Sequence, residues 1–131
     1  MDKNRISGLL GLMRKAGAVE IGEERSIEAI GKGKARLLLV PSDASDKTKR
    51  NADFYIEGHS TVKLDMPMTN DEIASAVGVG GCKMAAVTDI GFAKALLKLL
   101  AEGDEKYSEA EKSISLKADK QARRKITKKR G

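Results

Sequence analysis

The sequence predicts an α/β fold in which a mixed, largely four-stranded sheet lies between two layers of helices. Helix and strand patterns alternate along most of the chain, which is typical of sheets covered by helices. The run Leu37–Val40 is continuously apolar, as in a strand that is buried on both faces. Ile6, Leu10 and Met13 recur at helical spacing and mark one face of an amphipathic helix. Together these patterns indicate a three-layer α/β/α sandwich.

Start and stop signals place the elements of the first half of the chain. A short strand at Ala18–Ile21 ends at Gly22, and a helix is expected over about residues 23–30. The glycines of Gly31–Lys34 break this helix before the apolar strand begins. Ser42–Ser45 then supplies N-cap residues for a third, polar helix.

The second half continues the alternation. The expected elements are a strand with alternating Val62, Leu64 and Met66, a capping-box helix from Thr69–Glu72 to Ala76, a glycine-rich loop at Val77–Gly81, a buried strand at Met84–Val87 and a last helix capped by Asp89.

Positive charge is concentrated at the C-terminus. The chain has a formal charge of +6, and residues 118–131 contain seven basic residues and one acid, so residues 1–117 have no net charge. Large aliphatic side chains become scarce after residue 102. We therefore expect residues 1–102 to form the folded domain and residues 103–131 a flexible basic tail, which is disordered or forms a transient helix. The tail residues expected to make non-specific phosphate contacts are Lys120, Arg123, Arg124, Lys125, Lys128, Lys129 and Arg130.

The composition excludes several kinds of site. Four scattered aromatic residues and no tryptophan cannot build a surface that stacks several bases, so RNA recognition would rely on backbone groups and polar or aliphatic side chains. A single cysteine, Cys82, and a single histidine, His59, exclude an internal disulfide and a Cys/His zinc site. A packing role is favoured for Cys82. Because a lone cysteine cannot form an internal disulfide, we expect a reducing, cytoplasmic location. No apolar run approaches about 18 residues, so no membrane span is expected.

No group of residues indicates catalysis. Asp43, Asp46, Glu72 and Asp89 each have an explanation as a helix cap, which competes with a general acid or base role. His59 has no serine, cysteine or carboxylate partner at motif spacing. We therefore expect no enzymatic activity, no cofactor and no metal.

The most informative segment joins the first strand to the second helix. Gly22 allows another backbone to approach closely, and the free amides of the helix's first turn can hold a phosphate or a base edge. Glu24 could accept hydrogen bonds from guanine, and Arg25 could donate to phosphate or guanine. Lys32 and Lys34 could hold the backbone. The alternative interpretation is a capped helix with a solvated face.

The loop Val77–Gly81 is the second candidate segment. Glycine-rich loops can cradle phosphates, but this one lacks the lysine and hydroxyl residues of a P-loop and does not fit the dinucleotide fingerprint. A tight helix-to-strand connection is the competing interpretation. Gly31 and Gly33 precede a strand instead of following one, so they also fail as a dinucleotide fingerprint.

Taken together, five segments resemble a known family. The chain is similar to the kink-turn RNA-binding ribosomal protein family typified by the archaeal L-seven-Ae protein, most closely its bacterial YlxQ-like branch. The segments that carry the resemblance, by their order and spacing, are Ile6–Gly17, Ile21–Glu24, Leu37–Ser45, Ala76–Gly78 and Ala86–Lys94. The resemblance implies an α/β/α sandwich without catalytic activity. It also implies that RNA docks where the Gly22–Arg25 turn meets the Val77–Gly81 loop.

The family's turn has the pattern Gly-x-Asn-Glu-x-x-Lys, followed four positions later by a basic residue. Here Gly22 and Lys32 match, whereas Glu24 replaces the Asn, Arg25 the Glu and Glu28 the Lys. An acid at the Lys position should weaken binding and flatten its salt dependence. In the loop an apolar residue covers flipped-out bases. The RNA-binding residues implied are Gly22, Glu23, Glu24, Arg25, Glu28, Lys32, Lys34, Val77, Gly78, Val79 and Gly80.

The leading functional hypothesis is a monomeric, cytoplasmic, ribosome-associated RNA-binding protein. Its partners would be structured, kink-turn-like RNA and proteins of the same ribonucleoprotein. The alternative is a protein–protein adaptor on the same fold, which the changed residues Glu24 and Glu28 motivate. A nucleotide site in the Val77–Gly81 loop is a third hypothesis, but no base, nucleophile or metal cluster accompanies that loop.

Overall fold

The computed structural model describes the backbone of residues 1–130 and the side chains of residues 1–124. Helices and strands alternate as the sequence predicts. In chain order they are α1 (Lys3–Lys15), β1 (Val19–Ile21), α2 (Glu23–Gly31), β2 (Leu37–Val40), α3 (Asp46–Ile56), β3 (Val62–Asp65), α4 (Asn70–Val77), β4 (Ala85–Val87), α5 (Ile90–Gly103) and α6 (Ser108–Arg130), with a 3-10 turn at Glu105–Tyr107.

The four strands form one mixed sheet in the order β1-β4-β2-β3. β2 and β3 are parallel, whereas β4 is antiparallel to both β1 and β2. Strands β1, β2 and β3 therefore finish at the end of the sheet where β4 begins. We call this the upper end, marked by Ile21, Val40, Asp65 and Ala85. The opposite end, where these three strands begin and β4 finishes, is the lower end.

Helices cover both faces of the sheet, which confirms the predicted sandwich. All four residues of β2 are buried, with Leu37 and Leu39 on one face and Leu38 and Val40 on the other. The first face packs against α1, α4, α5 and α6, and the second packs against α2 and α3. Because side chains alternate along a strand, the continuous apolar run supplies both cores.

Local capping signals in the sequence are confirmed. The Thr69 hydroxyl accepts from the Glu72 amide at 3.2 Å, and the Glu72 carboxylate accepts from the Thr69 amide at 3.0 Å, which completes the capping box of α4. Asp89 caps α5 by accepting from the Phe92 amide at 2.9 Å. Ser45 caps α3 in the same way through Thr48. These hydrogen bonds fix where the helices start.

The segment from residue 104 to residue 124 differs from the disordered or transiently helical tail that composition predicts. It forms the 3-10 turn and most of α6, and it packs against α5. Tyr107 and Ile114 are 3% and 0% exposed, and both belong to the larger core with Ala110 at its margin. Their helical spacing forms a short apolar stripe, which a count of aliphatic residues does not reveal. The division at residue 102 into a domain and a flexible tail stays a prediction.

The described residues include no helix that is long and apolar enough to cross a membrane. Among those residues there is also no group of three His, Cys, Asp or Glu side chains positioned to hold a metal ion.

Candidate nucleic-acid interface

The turn between β1 and α2 depends on a glycine. Gly22 is the N-cap of α2 and has φ 103° and ψ 159°. Residues with a Cβ atom rarely adopt this backbone conformation. No heavy atom lies within 4 Å of the position that a Cβ would take, so backbone strain alone restricts this site. Gly22 provides no side-chain cap, which leaves the first amides of α2 available to a ligand.

Sheet pairing brings the turn next to the chain that leaves the glycine-rich loop. Ile21 pairs with Ala85, and the Gly22 amide donates to the Met84 carbonyl at 2.9 Å. At the other side of the loop, Gly78 ends α4 in the left-handed conformation. The Cys82 amide donates to the Asn70 side chain at 2.7 Å, which ties the loop to the start of α4. The turn and the loop therefore both belong to the upper end of the sheet.

The loop residues differ in their accessibility. Val77 is buried and belongs to the larger core, whereas Val79 is half-buried at its margin. Gly78 and Gly80 are exposed. Of the apolar side chains predicted to contact flipped-out bases, Val79 is therefore the accessible one.

One side of α2 lines a cleft of about 390 Å³ beside the edge strand β1. Arg25, Glu28 and Lys32 follow one another at helical spacing along this side. The cleft extends towards the lower end, where Lys34 also contributes. Its lining residues are Gly17, Glu20, Arg25, Glu28, Ala29, Lys32, Lys34 and Thr88. The structure thus collects four of the six predicted charged residues in one concave surface, and Glu23 and Glu24 are the two that do not line it.

Two of the residues that line this cleft form an ion pair. The Lys32 ammonium lies 2.6 Å from the Glu28 carboxylate, one turn away on α2. The hydrogen bond from Lys32 lowers the pKa of Glu28, and the same bond raises the pKa of Lys32. Glu28 therefore holds the lysine that the family pattern assigns to RNA. Within residues 1–124, Arg25 and Lys34 have no such partner.

The remaining predicted residues of the turn point elsewhere. Glu23 lies beside the Tyr55 hydroxyl of α3; burial and then the Glu23 charge raise the pKa of Tyr55. Glu24 is exposed and is not among the residues that line the cleft. Of the charged residues in the predicted turn, Arg25 therefore lines the cleft, whereas Glu23 and Glu24 lie outside it.

Basic residues of α6 lie at the lower end of the sheet. Lys117 donates to the Ser60 carbonyl at 2.7 Å, just before β3 begins. Arg36 donates to the Gln121 side chain at 3.3 Å, just before β2 begins. Of the predicted phosphate-contact residues, Lys120, Arg123 and Arg124 belong to this stretch of helix. The side chains of Lys125, Lys128, Lys129 and Arg130 lie outside the described residues.

Sequence reasoning missed Arg36, Lys117 and Gln121. The signal that could have identified them is the apolar stripe of Tyr107, Ala110 and Ile114, because a helix docked by this stripe carries Lys117 onward to the starts of the strands.

The lone cysteine has the packing role that was favoured. Cys82 is buried, and burial raises the pKa of its thiol to about 11, so the thiol stays protonated at neutral pH. His59 is exposed in the connection between α3 and β3.

No family model matches the chain, but individual relatives do. The RNA-binding protein YlxQ of Bacillus subtilis is 31% identical over 96 residues, which cover 70% of this chain and 91% of that protein. The chain belongs to the L-seven-Ae-type family. Within this family it falls in the YlxQ-like branch, because YlxQ of Enterococcus faecium also matches, with 28% identity over 76% of this chain and 94% of that protein.

One further relative and two solved structures extend the comparison. The large ribosomal subunit protein eL30 of Neurospora crassa is 29% identical over 69% of this chain and 84% of its own length. A solved structure of a Bacillus halodurans protein of unknown function superposes with a TM-score of 0.62 at 25% identity, covering 72% of this chain and 95% of that one. The 15.5kD RNA binding protein of Giardia lamblia superposes with a TM-score of 0.55 at 17% identity, covering 83% and 90%, and shows the shared fold.

Proposed function

We propose that this protein binds structured, kink-turn-like RNA and acts with the ribosome or a related ribonucleoprotein. The observation that carries the proposal is the pairing of the Gly22–Arg25 turn and the residue before it with Met84 and Ala85, which follow the Val77–Gly81 loop, in a chain whose relatives are named as RNA-binding and ribosomal proteins. None of these relatives is named as an enzyme, which supports a binding function. The proposal also includes that the protein is monomeric and cytoplasmic and that its protein partners belong to the same ribonucleoprotein.

The upper end would read RNA through backbone amides and Arg25, and Lys32 would hold the RNA backbone from the other end of α2. The uncapped amides of α2 are available donors, and Arg25 is exposed at the mouth of the cleft. An arginine can donate two hydrogen bonds to a guanine edge or to phosphate. The half-buried Val79 would supply the apolar contact from the loop.

The proposal is tested by titrating the full chain against a standard kink-turn RNA and its unkinked control at one stated salt concentration. We expect a preference of about tenfold or more for the kinked RNA. Arg25→Ala should remove this preference, and so should Lys32→Ala. Arg14→Ala, which removes an exposed arginine near the C-terminus of α1, is the matched control and should retain it. Equal binding of both RNAs by the unaltered protein would contradict kink-turn recognition.

A protein–protein adaptor is the second candidate, and a specific observation favours it. Ile27 on α2 and Phe54 on α3 are 40% and 72% exposed, on two helices that pack together on the same face of the sheet. Large exposed apolar side chains are common at protein interfaces. Partners that are recovered after nuclease treatment, and lost with Phe54→Ser, would support the adaptor; loss of all partners with the RNA would reject it.

A further inference from the structure

The lower end contains a cluster of cations that the turn and loop do not explain. Arg36 immediately precedes β2, and Lys117 lies on α6 beside the start of β3. Two hydrogen bonds join α6 to these strand starts: Lys117 to the Ser60 carbonyl, and Arg36 to Gln121. The position of the helix, and of the charges on it, is therefore fixed against the sheet.

The two cations lie close to each other without a carboxylate between them. The Lys117 pKa is lowered by burial and, next, by the Arg36 charge, which shows that the two charges repel. Neither residue has an acidic partner within 4.0 Å in the part of the chain whose side chains are described. The Arg36 Nε is buried and lacks a hydrogen-bond partner among the same residues. Such a pair is expected to attract an anionic ligand.

Further cations continue the cluster along α6. Lys120 and Arg124 follow Lys117 by three and seven positions, so all three lie along one side of the helix. Seven residues of α-helix span about 10 Å. Lys120 and Arg124 are exposed. The result is a row of positive charge along the helix, which suits a repeating chain of phosphates better than a single small anion.

We propose that Arg36, Lys117 and the adjoining side of α6 form a second RNA-contact surface, which binds the phosphate backbone of a double-helical RNA stem. The inference rests on the proposed function for the class of its ligand. The surface lies at the opposite end of the sheet from the turn and loop, so it holds a different part of the RNA. It contributes affinity without reading sequence or kink.

The test measures binding of the full chain to a plain, unkinked RNA duplex at several salt concentrations. Lys120→Gln/Arg124→Gln removes two exposed charges and leaves the hydrogen bonds of Arg36 and Lys117 intact. We expect the slope of log affinity against log salt to flatten by up to about two units, since each duplex phosphate contact contributes about 0.9. Arg36→Gln/Lys117→Gln should flatten it similarly, and Arg36→Lys/Lys117→Arg should restore it.

The matched control is Lys94→Gln/Lys98→Gln, which removes two exposed charges from α5. Its slope should equal that of the unaltered protein. Equal slopes in the control and in Lys120→Gln/Arg124→Gln would overturn the second surface. The kink preference distinguishes the two proposals: it should persist in the lower-end variants, and its absence from the unaltered protein would reject kink-turn recognition while leaving the slope difference intact.

Discussion

The upper and lower ends of the sheet differ in backbone and in charge. At the upper end a glycine with φ 103° leaves helix amides uncapped, and acids dominate the connections around it. Counting these connections together with the last residue of each preceding strand and the first three residues of each following helix, the acids are Glu23, Glu24, Asp43, Asp46, Asp65, Asp71 and Glu72, whereas the cations are Arg25, Lys47 and Lys83. At the lower end, cations dominate the strand starts and the adjoining turns of α6. They include Lys34, Arg36, Lys117, Lys120 and Arg124.

We infer that this difference separates RNA recognition at the upper end from RNA affinity at the lower end. Backbone amides and a single arginine can discriminate shapes and base edges, but an acidic surrounding gives them little long-range attraction for RNA. A row of cations attracts any phosphate backbone. We infer that a protein with both ends on one rigid sheet can orient an RNA by the first and hold it by the second.

The largest expected effect concerns the docking of α6, on which the lower end depends. Ile114→Ala should lower the free energy of unfolding by about 2–4 kcal/mol, because it removes a fully buried aliphatic side chain and leaves a cavity. Urea unfolding measures this. Leu116→Ala, two residues away and 60% exposed, is the control and should change stability by less than about 0.5 kcal/mol. Equal small effects would mean that α6 is not part of the core.

The turn at the upper end gives the next largest effect. Gly22→Ala should destabilise the protein by about 1–3 kcal/mol, because alanine is strained at this backbone conformation even though no atom obstructs its Cβ. Gly8→Ala is the control: it lies within α1, also in open space, and should stabilise by about 0.5–1 kcal/mol. A Gly22→Ala protein as stable as the unaltered one would show that the turn does not need this conformation.

Tyr107→Phe tests the attachment of the segment before α6. The Tyr107 hydroxyl donates to the Asp65 carbonyl at 2.6 Å, and its loss should cost about 0.5–1.5 kcal/mol near neutral pH. Burial, then the Asp104 and Asp65 charges, raise the pKa of Tyr107 to about 12. The ordinary value is about 10, so this stabilisation is complete below about pH 10 and is lost as the pH rises towards about 12.

Unfolding curves at neutral pH and between about pH 10 and 12 test whether this stabilisation falls as the pH rises. The difference between the unaltered protein and Tyr107→Phe should shrink as the pH rises. A difference that stays constant across this range would mean that the hydroxyl ionises as readily in the folded protein as in the unfolded chain.

The smallest expected effect concerns the ion pair between Glu28 and Lys32 in the cleft. Glu28→Gln should release Lys32 from its 2.6 Å ion pair and raise the affinity for kink-turn RNA several-fold, with a salt slope steeper by about one unit. Stability should barely change, since both groups are exposed. Glu102→Gln also breaks an exposed pair, with Arg5 on α1, and is the control that should leave affinity unchanged. Equal affinity in all three proteins would exclude Lys32 from RNA contact.

Sequence reasoning reached the parts of the structure that local patterns determine. The apolar run of β2, the capping box of Thr69–Glu72 and the Asp89 cap each depend on residues within one element, and all three are confirmed. The resemblance to the L-seven-Ae-type family is also confirmed. The ion pair between Glu28 and Lys32 was not predicted, although residues four positions apart on a helix are close enough to form one.

The parts that sequence reasoning missed depend on distant contacts. Ile114 contributes to the core because α5 offers a surface at the right position, and composition alone cannot reveal such a surface. Arg36 and Gln121 are 85 positions apart and meet because α6 runs back along the larger core to the start of β2. The lower end therefore becomes visible as one surface only when the fold is known.

The most direct test of the separation between the ends is a double-mutant cycle. It compares the unaltered protein, Arg25→Ala, Lys120→Gln/Arg124→Gln and the combined variant, each titrated with kinked and unkinked RNA at several salt concentrations. The kink preference should fall only where Arg25 is replaced, the salt slope should fall chiefly where the α6 cations are replaced, and the losses in binding free energy should add within about 0.5 kcal/mol. Loss of the kink preference in Lys120→Gln/Arg124→Gln, or losses that fail to add, would contradict two separate RNA-contact surfaces.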